Sequence, residues 1–170
     1  MIYLLDANAF IRAKNEFYAY DIVPSFWKML LEKFRSGSVK IIDAVFEEIL
    51  KGNDNLTDWV RDNIRNAEDV YGKEYIVQAK YDQNVIGNYR IIANNVYSNE
   101  CYSEENKQQF LSGADPWLVA AASTYGDTVV TFEKSARANS KKIKIPDICQ
   151  QMNVQFMDLY DMMRKIQIEI

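Results

Sequence analysis

The sequence predicts an α/β protein built around a mostly parallel sheet. Three features carry that expectation. Short runs of strand length at Ile2–Leu5, Val39–Ile42 and Thr128–Thr131 are separated by long stretches of helical periodicity. The first run, IYLL, is apolar throughout, which suits a parallel strand covered on both faces. Strands that alternate with helices need crossover connections, and crossovers give parallel pairing. A chain of 170 residues is read as a single domain, 1–170, with one sizeable core.

Taken in order, the first strand stops at Asp6, and Ala7–Lys14 begins a helix. Asp21-Ile-Val-Pro24 interrupts the pattern, with Pro24 suited to a first helical turn. Trp27, Leu30, Leu31 and Phe34 then recur at helical spacing until Ser36-Gly37. The second strand, VKII, leads into a helix over Asp43–Lys51 with Val45, Phe46, Ile49 and Leu50 on its apolar face. Gly52–Asn55 breaks the chain before a helix that turns Leu56, Trp59, Val60 and Ile64 inward.

Gly72–Ser98 reads as a long helical middle, striped by Val85, Tyr89, Ile92 and Val96. Its tyrosines (Tyr71, Tyr75, Tyr81, Tyr89, Tyr97, with Tyr102 just beyond) fit amphipathic packing or a stacking surface for unpaired bases. Glu104–Leu111 is a short helix ended by Ser112-Gly113. Asp115-Pro116 then opens a helix whose three consecutive alanines would let it lie close to a sheet, and Gly126-Asp127 stops it. After the third clear strand, Ser135–Lys144 is polar and basic. Ile143–Pro146 is a candidate fourth strand, Asp147 starts a short helix, Val154–Phe156 is a candidate edge strand, and Asp158–Ile168 is a closing helix.

Composition removes several chemistries. There is no histidine, which excludes Ser-His-Asp and Cys-His hydrolases, histidine acid–base pairs and most zinc sites. Hydrolysis would therefore fall to carboxylates with a hard metal. Cys101 and Cys149 lack metal-type spacing and read as reduced thiols. No apolar run approaches a membrane span, and the N-terminus has no secretory pattern, so a cytoplasmic location is expected. With 24 acidic and 20 basic residues the net charge is −4, which gives no support to broad electrostatic binding of nucleic acid.

Four acids fall at related places. Asp6 ends the first strand, and Glu48 lies on the helix after the second, with Glu47 almost as good a candidate. Asp115 opens the alanine-rich helix, and Glu133 follows the third clear strand. Each has a plain structural alternative: Asp6 and Asp115 as helix caps, Glu48 as a solvated helix residue, Glu133 as a loop acid. The functional reading rests on their conjunction, because ligands bind at the carboxyl ends of strands in open parallel sheets. Spacing alone leaves open whether Asp115 reaches the edge shared by Asp6 and Glu133.

LLDAN, FEEIL, ADPWLVAAA and VVTFE, in this order, resemble the four acidic motifs of PIN-domain nucleases. The chain looks most similar to a small toxin-type branch of uncharacterised function, with its long helical middle and the KIPDIC segment. The resemblance implies a three-layer α/β/α sandwich with strand order 3-2-1-4-5. It also implies a metal-dependent endoribonuclease, often the toxin half of a bacterial toxin–antitoxin pair, cytoplasmic and often dimeric. Asp6, Asp115 and Glu133 would be metal ligands for Mg²⁺ or Mn²⁺, with Glu48 as ligand or water-orienting group. Asn8 and Thr131 would support them. Glu133 departs from the commoner aspartate, and its longer side chain leaves open the coordination mode and the number of metals.

The basic run bearing Lys134, Arg137, Lys141 and Lys142 is read either as a contact to RNA phosphates or as a solvated loop. An aspartyl phosphohydrolase of the haloacid-dehalogenase type usually needs a second aspartate where this chain has Asn8. A non-catalytic module that retains the fold and binds RNA or an antitoxin is the other alternative.

Overall fold

Five short strands form one sheet in the order β3-β2-β1-β4-β5, and every neighbouring pair is parallel. They are β1 (Tyr3–Leu5), β2 (Val39–Ile42), β3 (Ile76–Val77), β4 (Thr128–Val130) and β5 (Phe156–Met157). The structure is a computed structural model that describes residues 1–65, 74–137 and 140–168. Helices flank the sheet in the PIN-like α/β/α arrangement, so the expected fold class and strand order both hold.

The helices are α1 (Ala7–Arg12), α2 (Pro24–Arg35), α3 (Asp43–Leu50), α4 (Asn55–Val60), α5 (Gln83–Ser98), α6 (Glu104–Ser112), α7 (Asp115–Tyr125), α8 (Ile145–Gln151) and α9 (Leu159–Lys165). A π-helical turn extends α1 over Ala13–Phe17, and another extends α4 over Arg61–Arg65. Leu4, Leu5, Ile41, Ile42, Val129 and Val130 are buried in the centre of the sheet. Each such aliphatic side chain contributes about 1.5–3 kcal/mol through burial.

Helix α7 is the main packing element against the sheet. It contacts β4 and β2, and also α3, α5, α6 and α8. Leu118, Val119, Ala120, Ala121 and Ala122 are all buried, and the three small side chains let its backbone approach its neighbours closely. Gly126 ends the helix in the left-handed region at φ 72°, where a side chain would be strained.

The structure corrects three expectations. The helical middle does not run from residue 72: helix α5 begins only at Gln83, where the Asp82 carboxylate accepts bonds from the Asn84 and Val85 amides. Before it, Ile76–Val77 adds strand β3 to the sheet, pairing with Ile41 and Ile42. Gly72 and Tyr71 lie outside the described residues. A strand of two residues is too short for periodicity to reveal. Next, Ile143–Pro146 is not a strand. Pro146 sits in the first turn of α8, which starts at Ile145 rather than Asp147, while Ile143 and Ile145 are buried. Finally, the edge strand is Phe156–Met157, shifted from Val154–Phe156.

The tyrosines are divided between environments: Tyr75 is in the core, Tyr89 stacks on Trp117 with ring centroids 4.1 Å apart, and Tyr81 and Tyr97 are exposed. No helix among the described residues is long and apolar enough to cross a membrane.

Both cysteines are free thiols, Cys101 exposed and Cys149 buried. Burial pushes the Cys149 thiol up to about 12, so it carries almost no thiolate at neutral pH. A thiol reagent at pH 7.5, about one unit below an ordinary thiol, should label one site, Cys101, on the native protein and both on the denatured one. Mass spectrometry of the labelled peptides reads this directly; rapid native labelling of Cys149 would contradict the core described above.

Candidate functional site

Because all five strands run the same way, their carboxyl ends share one edge, and the residues just after β1 and β4 meet there. Asp6 follows β1. Its amide donates to the Val130 carbonyl at 3.0 Å, which carries the β1–β4 pairing one residue past the strand. Its side chain is buried, 1% exposed, and its Oδ2 accepts a bond from Thr131 Oγ1 at 2.8 Å. Thr131 Oγ1 in turn accepts from the Glu133 amide at 3.1 Å. One buried hydroxyl therefore joins the first acid to the backbone of the fourth.

Glu133 does not stand free in the cleft. Its Oε1 accepts from Lys144 Nζ at 2.6 Å and its Oε2 from the Ile145 amide at 3.0 Å. The two side chains of this ion pair are only 17% and 34% exposed.

Asp115 is the first residue of α7. Ala114 holds the cap position, and no side chain caps the helix, so the capping explanation of Asp115 does not apply. A crossover helix runs antiparallel to the strands it joins, so the start of α7 returns to the edge where β1 and β4 end. The electrostatics agree: Asp6, Glu133 and Glu48 all repel the Asp115 carboxylate. Asp6 likewise occupies the cap position of α1 without a capping bond of normal geometry, although the Asn8 amide helps its anion slightly.

Burial is the largest influence on both acids and raises both above the ordinary carboxylate range. For Asp6, Glu133 and Glu48 add to the rise and the Thr131 bond opposes it. For Asp115, the three neighbouring acids add to it and Lys144 opposes it.

A cavity of about 600 Å³ opens over this edge and is lined by Glu47, Glu48, Asp115, Glu133, Trp117 and Asn106 among others. Glu47 and Glu48 both reach it, but they differ in company. Glu47 is paired with Lys80, whereas Glu48 acts on both Asp6 and Asp115. Of the basic run, Lys142 lines the cavity together with Lys144, while Lys134, Arg137 and Lys141 are exposed elsewhere. The Asn8 side chain is exposed on the first turn of α1 and does not line the cavity.

Sequence reasoning missed Lys51 and Lys80, which also line the cleft, and left Lys144 unassigned within the basic run. It also missed Asp43, whose buried carboxylate accepts from the Ala44 and Lys80 amides and ties the residues after β3 to the start of α3. Reading Ile76–Val77 as a strand would have put Lys80 at the working edge.

The donors at this edge are all carboxylate oxygens, the chemistry that suits Mg²⁺ or Mn²⁺. A buried acid, Asp6, and a half-buried one, Asp115, that repel each other are a fit for a divalent cation. Among the described residues, no group of three or more acids or cysteines is drawn up ready to hold one ion, and Glu133 is turned to Lys144.

A five-stranded parallel sheet in the order 3-2-1-4-5, flanked by helices, is the PIN-like α/β/α fold. The chain belongs to the family described as domain of unknown function DUF4411, whose model matches residues 3–170. Comparison with curated proteins finds no significant match. Among solved structures, the fold is similar to a chain in the crystal structure of VapBC2 from Rickettsia felis bound to a DNA fragment from their promoter. The TM-score is 0.53 at 15% identity, over 93% of this chain and 98% of that one. At that identity the likeness is one of fold.

Two expectations follow. With a chelator present, both acids titrate higher folded than unfolded, from 3.8 to about 7 for Asp6 and about 8 for Asp115. The stability they allow is full below about pH 4 and is lost as pH rises through 7 to 8. The melting temperature should therefore fall from pH 6 to pH 8.5, and Asp115→Asn should flatten that fall; a wild type that gains stability over this range would refute the electrostatic account. Thr131→Val, which removes the Asp6 donor and the Glu133 amide's acceptor, should destabilise by about 1–3 kcal/mol in urea unfolding, and Thr131→Ser by much less.

Proposed function

We propose that this protein is a divalent-metal-dependent endoribonuclease and the toxin component of a bacterial toxin–antitoxin pair. The observation that carries the reading is the buried Asp6 and the half-buried Asp115, brought to one sheet edge under a cleft that lysines also line. Asp6 and Asp115 would hold the ion. Glu48 would be a further ligand or the group that orients water, and Glu133 closes the cluster. Bound there, Mg²⁺ or Mn²⁺ would supply a more acidic water and would neutralise charge on the phosphate.

The chain's own residues account for the rest. Thr131 holds Asp6 in one orientation through its 2.8 Å bond, so the carboxylate needs no reorganisation when it takes up an ion. Lys142, which lines the cleft, would meet a substrate phosphate, and Lys51 and Lys80 line the same cleft. The fold neighbour is a VapBC2 assembly on promoter DNA, and the likeness supports an antitoxin as the protein partner here. The cytoplasm, a single domain and a homodimer belong to the same reading.

A second reading is favoured by one observation. Glu133 is engaged by Lys144 and Ile145, which suits a module that binds RNA or a partner without cleaving it.

The deciding experiment is cleavage of a mixed-sequence RNA with Mg²⁺ or Mn²⁺. Asp6→Asn and Asp115→Asn should each lower the rate by more than about 100-fold, beyond the loss typical of outer-shell partners. Equal activity in wild type and both variants would defeat the assignment, and metal binding without any cleavage would select the second reading. Replacing Lys141 and Lys142 by alanine should weaken RNA binding and make its salt dependence shallower, by about 0.7 in log–log slope for each phosphate that a lysine no longer neutralises.

A further inference from the structure

The fourth acid is the one member of the cluster whose carboxylate is fully engaged. Both Glu133 oxygens accept bonds from consecutive residues, one from Lys144 Nζ at 2.6 Å and the other from the Ile145 amide at 3.0 Å. Lys144 and Ile145 arrive together because they lie at the start of α8. That start is itself fixed from the other side, because Asp147 accepts the Ala136 amide with both oxygens, at 3.3 and 3.1 Å. Glu133 and Ala136 are thus tied to the start of α8 at two points. The pair is also partly sheltered, with the Glu133 side chain 17% and the Lys144 side chain 34% exposed, so it is screened less than a fully exposed ion pair. Lys144 lines the same cavity as Asp115.

We propose that Glu133 is a positioning residue withheld from the metal, and that the Lys144 ammonium fills the place of a second cation, so that the site takes a single divalent ion. The proposal rests on the metal-dependent reading above and narrows it. Asp6 and Asp115 hold the ion, Glu133 anchors Lys144, and Lys144 presents its ammonium to the cleft. A side-chain ammonium cannot coordinate a metal while protonated, but it does donate hydrogen bonds to phosphate oxygens. The substrate would therefore meet one metal and one lysine. The glutamate side chain gives the reach to an anchor at the start of the following helix.

The test is Mn²⁺ titration of the metal-stripped full-length protein, with free Mn²⁺ counted by electron paramagnetic resonance. The proteins are wild type, Glu133→Gln, Lys144→Met and Asp115→Asn, with circular dichroism as the check on folding. Wild type should bind one Mn²⁺ per chain. Glu133→Gln should keep that count and raise Kd by less than tenfold, because a charge acting from a distance is lost and not a ligand. Lys144→Met should release the Glu133 carboxylate, and should tighten Mn²⁺ at least tenfold or admit a second ion.

Two ions in wild type, or tenfold weaker binding in Glu133→Gln, would overturn the proposal while leaving the metal-dependent reading intact. No Mn²⁺ binding by wild type, or undiminished binding by Asp115→Asn, would overturn that reading and this proposal with it. The wild-type count requires no substitution, so it decides between one ion and two even if a variant misfolds.

Discussion

The pairing of β1 with β4 is the constraint on which the acidic edge depends. The two strands are distant in sequence, and their register matches Leu5 to Val130. The Asp6 amide extends that ladder to the Val130 carbonyl, so Asp6 and Thr131 leave the sheet side by side. The bond between them, and the Thr131 acceptor for the Glu133 amide, then fix the first acid relative to the last. A slip of one residue would turn Thr131 to the opposite face and separate the two acids. The apolar strands that set this register are among the most deeply buried residues of the chain.

That geometry explains which parts were legible in the sequence. The strands and the acids that end them were readable because a buried parallel strand is a run of apolar residues, and its end is where that run stops. Asp115 was readable as a helix start from Asp-Pro, but its arrival at the same edge follows from the antiparallel return of a crossover helix, a property of topology rather than of local pattern. The choice between Glu47 and Glu48 was not readable. It turns on Lys80, which pairs with Glu47 and comes from the residues after β3, a strand of two residues. Ile143–Pro146 looked like a strand for a related reason. Its isoleucines are buried, but as part of a loop and a helix start, and burial alone does not distinguish these from a strand. The basic run was visible, yet only position in space shows that Lys142 and Lys144 face the cleft while its other cations do not.

The electrostatics of the cleft also resolve a difficulty raised by composition. A chain with a net charge of −4 is a poor general ligand for a polyanion. The cleft is different from the average surface. Four lysines (Lys51, Lys80, Lys142 and Lys144) line it against four carboxylates (Glu47, Glu48, Asp115 and Glu133). Two of those lysines are already paired with acids, Lys80 with Glu47 and Lys144 with Glu133. The acid most in need of a counter-charge is therefore Asp115, together with Asp6 behind it, both of which burial and mutual repulsion push toward the neutral form.

On the proposed reading this balance acts as a condition on binding. Without an added cation the lining is close to neutral, and the field that would draw an RNA phosphate inward is weak. A divalent ion on Asp6 and Asp115 would take the place of the protons that these raised carboxyls hold, so it would change the net charge of the lining less than its own charge while setting a concentrated positive centre where a phosphate could meet it. Metal and substrate would then bind with positive cooperativity, each favouring the other by the same factor. The pairing of Glu133 with Lys144 sharpens the effect. It keeps the fourth acid from adding an unpaired negative charge to the place where the phosphate would sit.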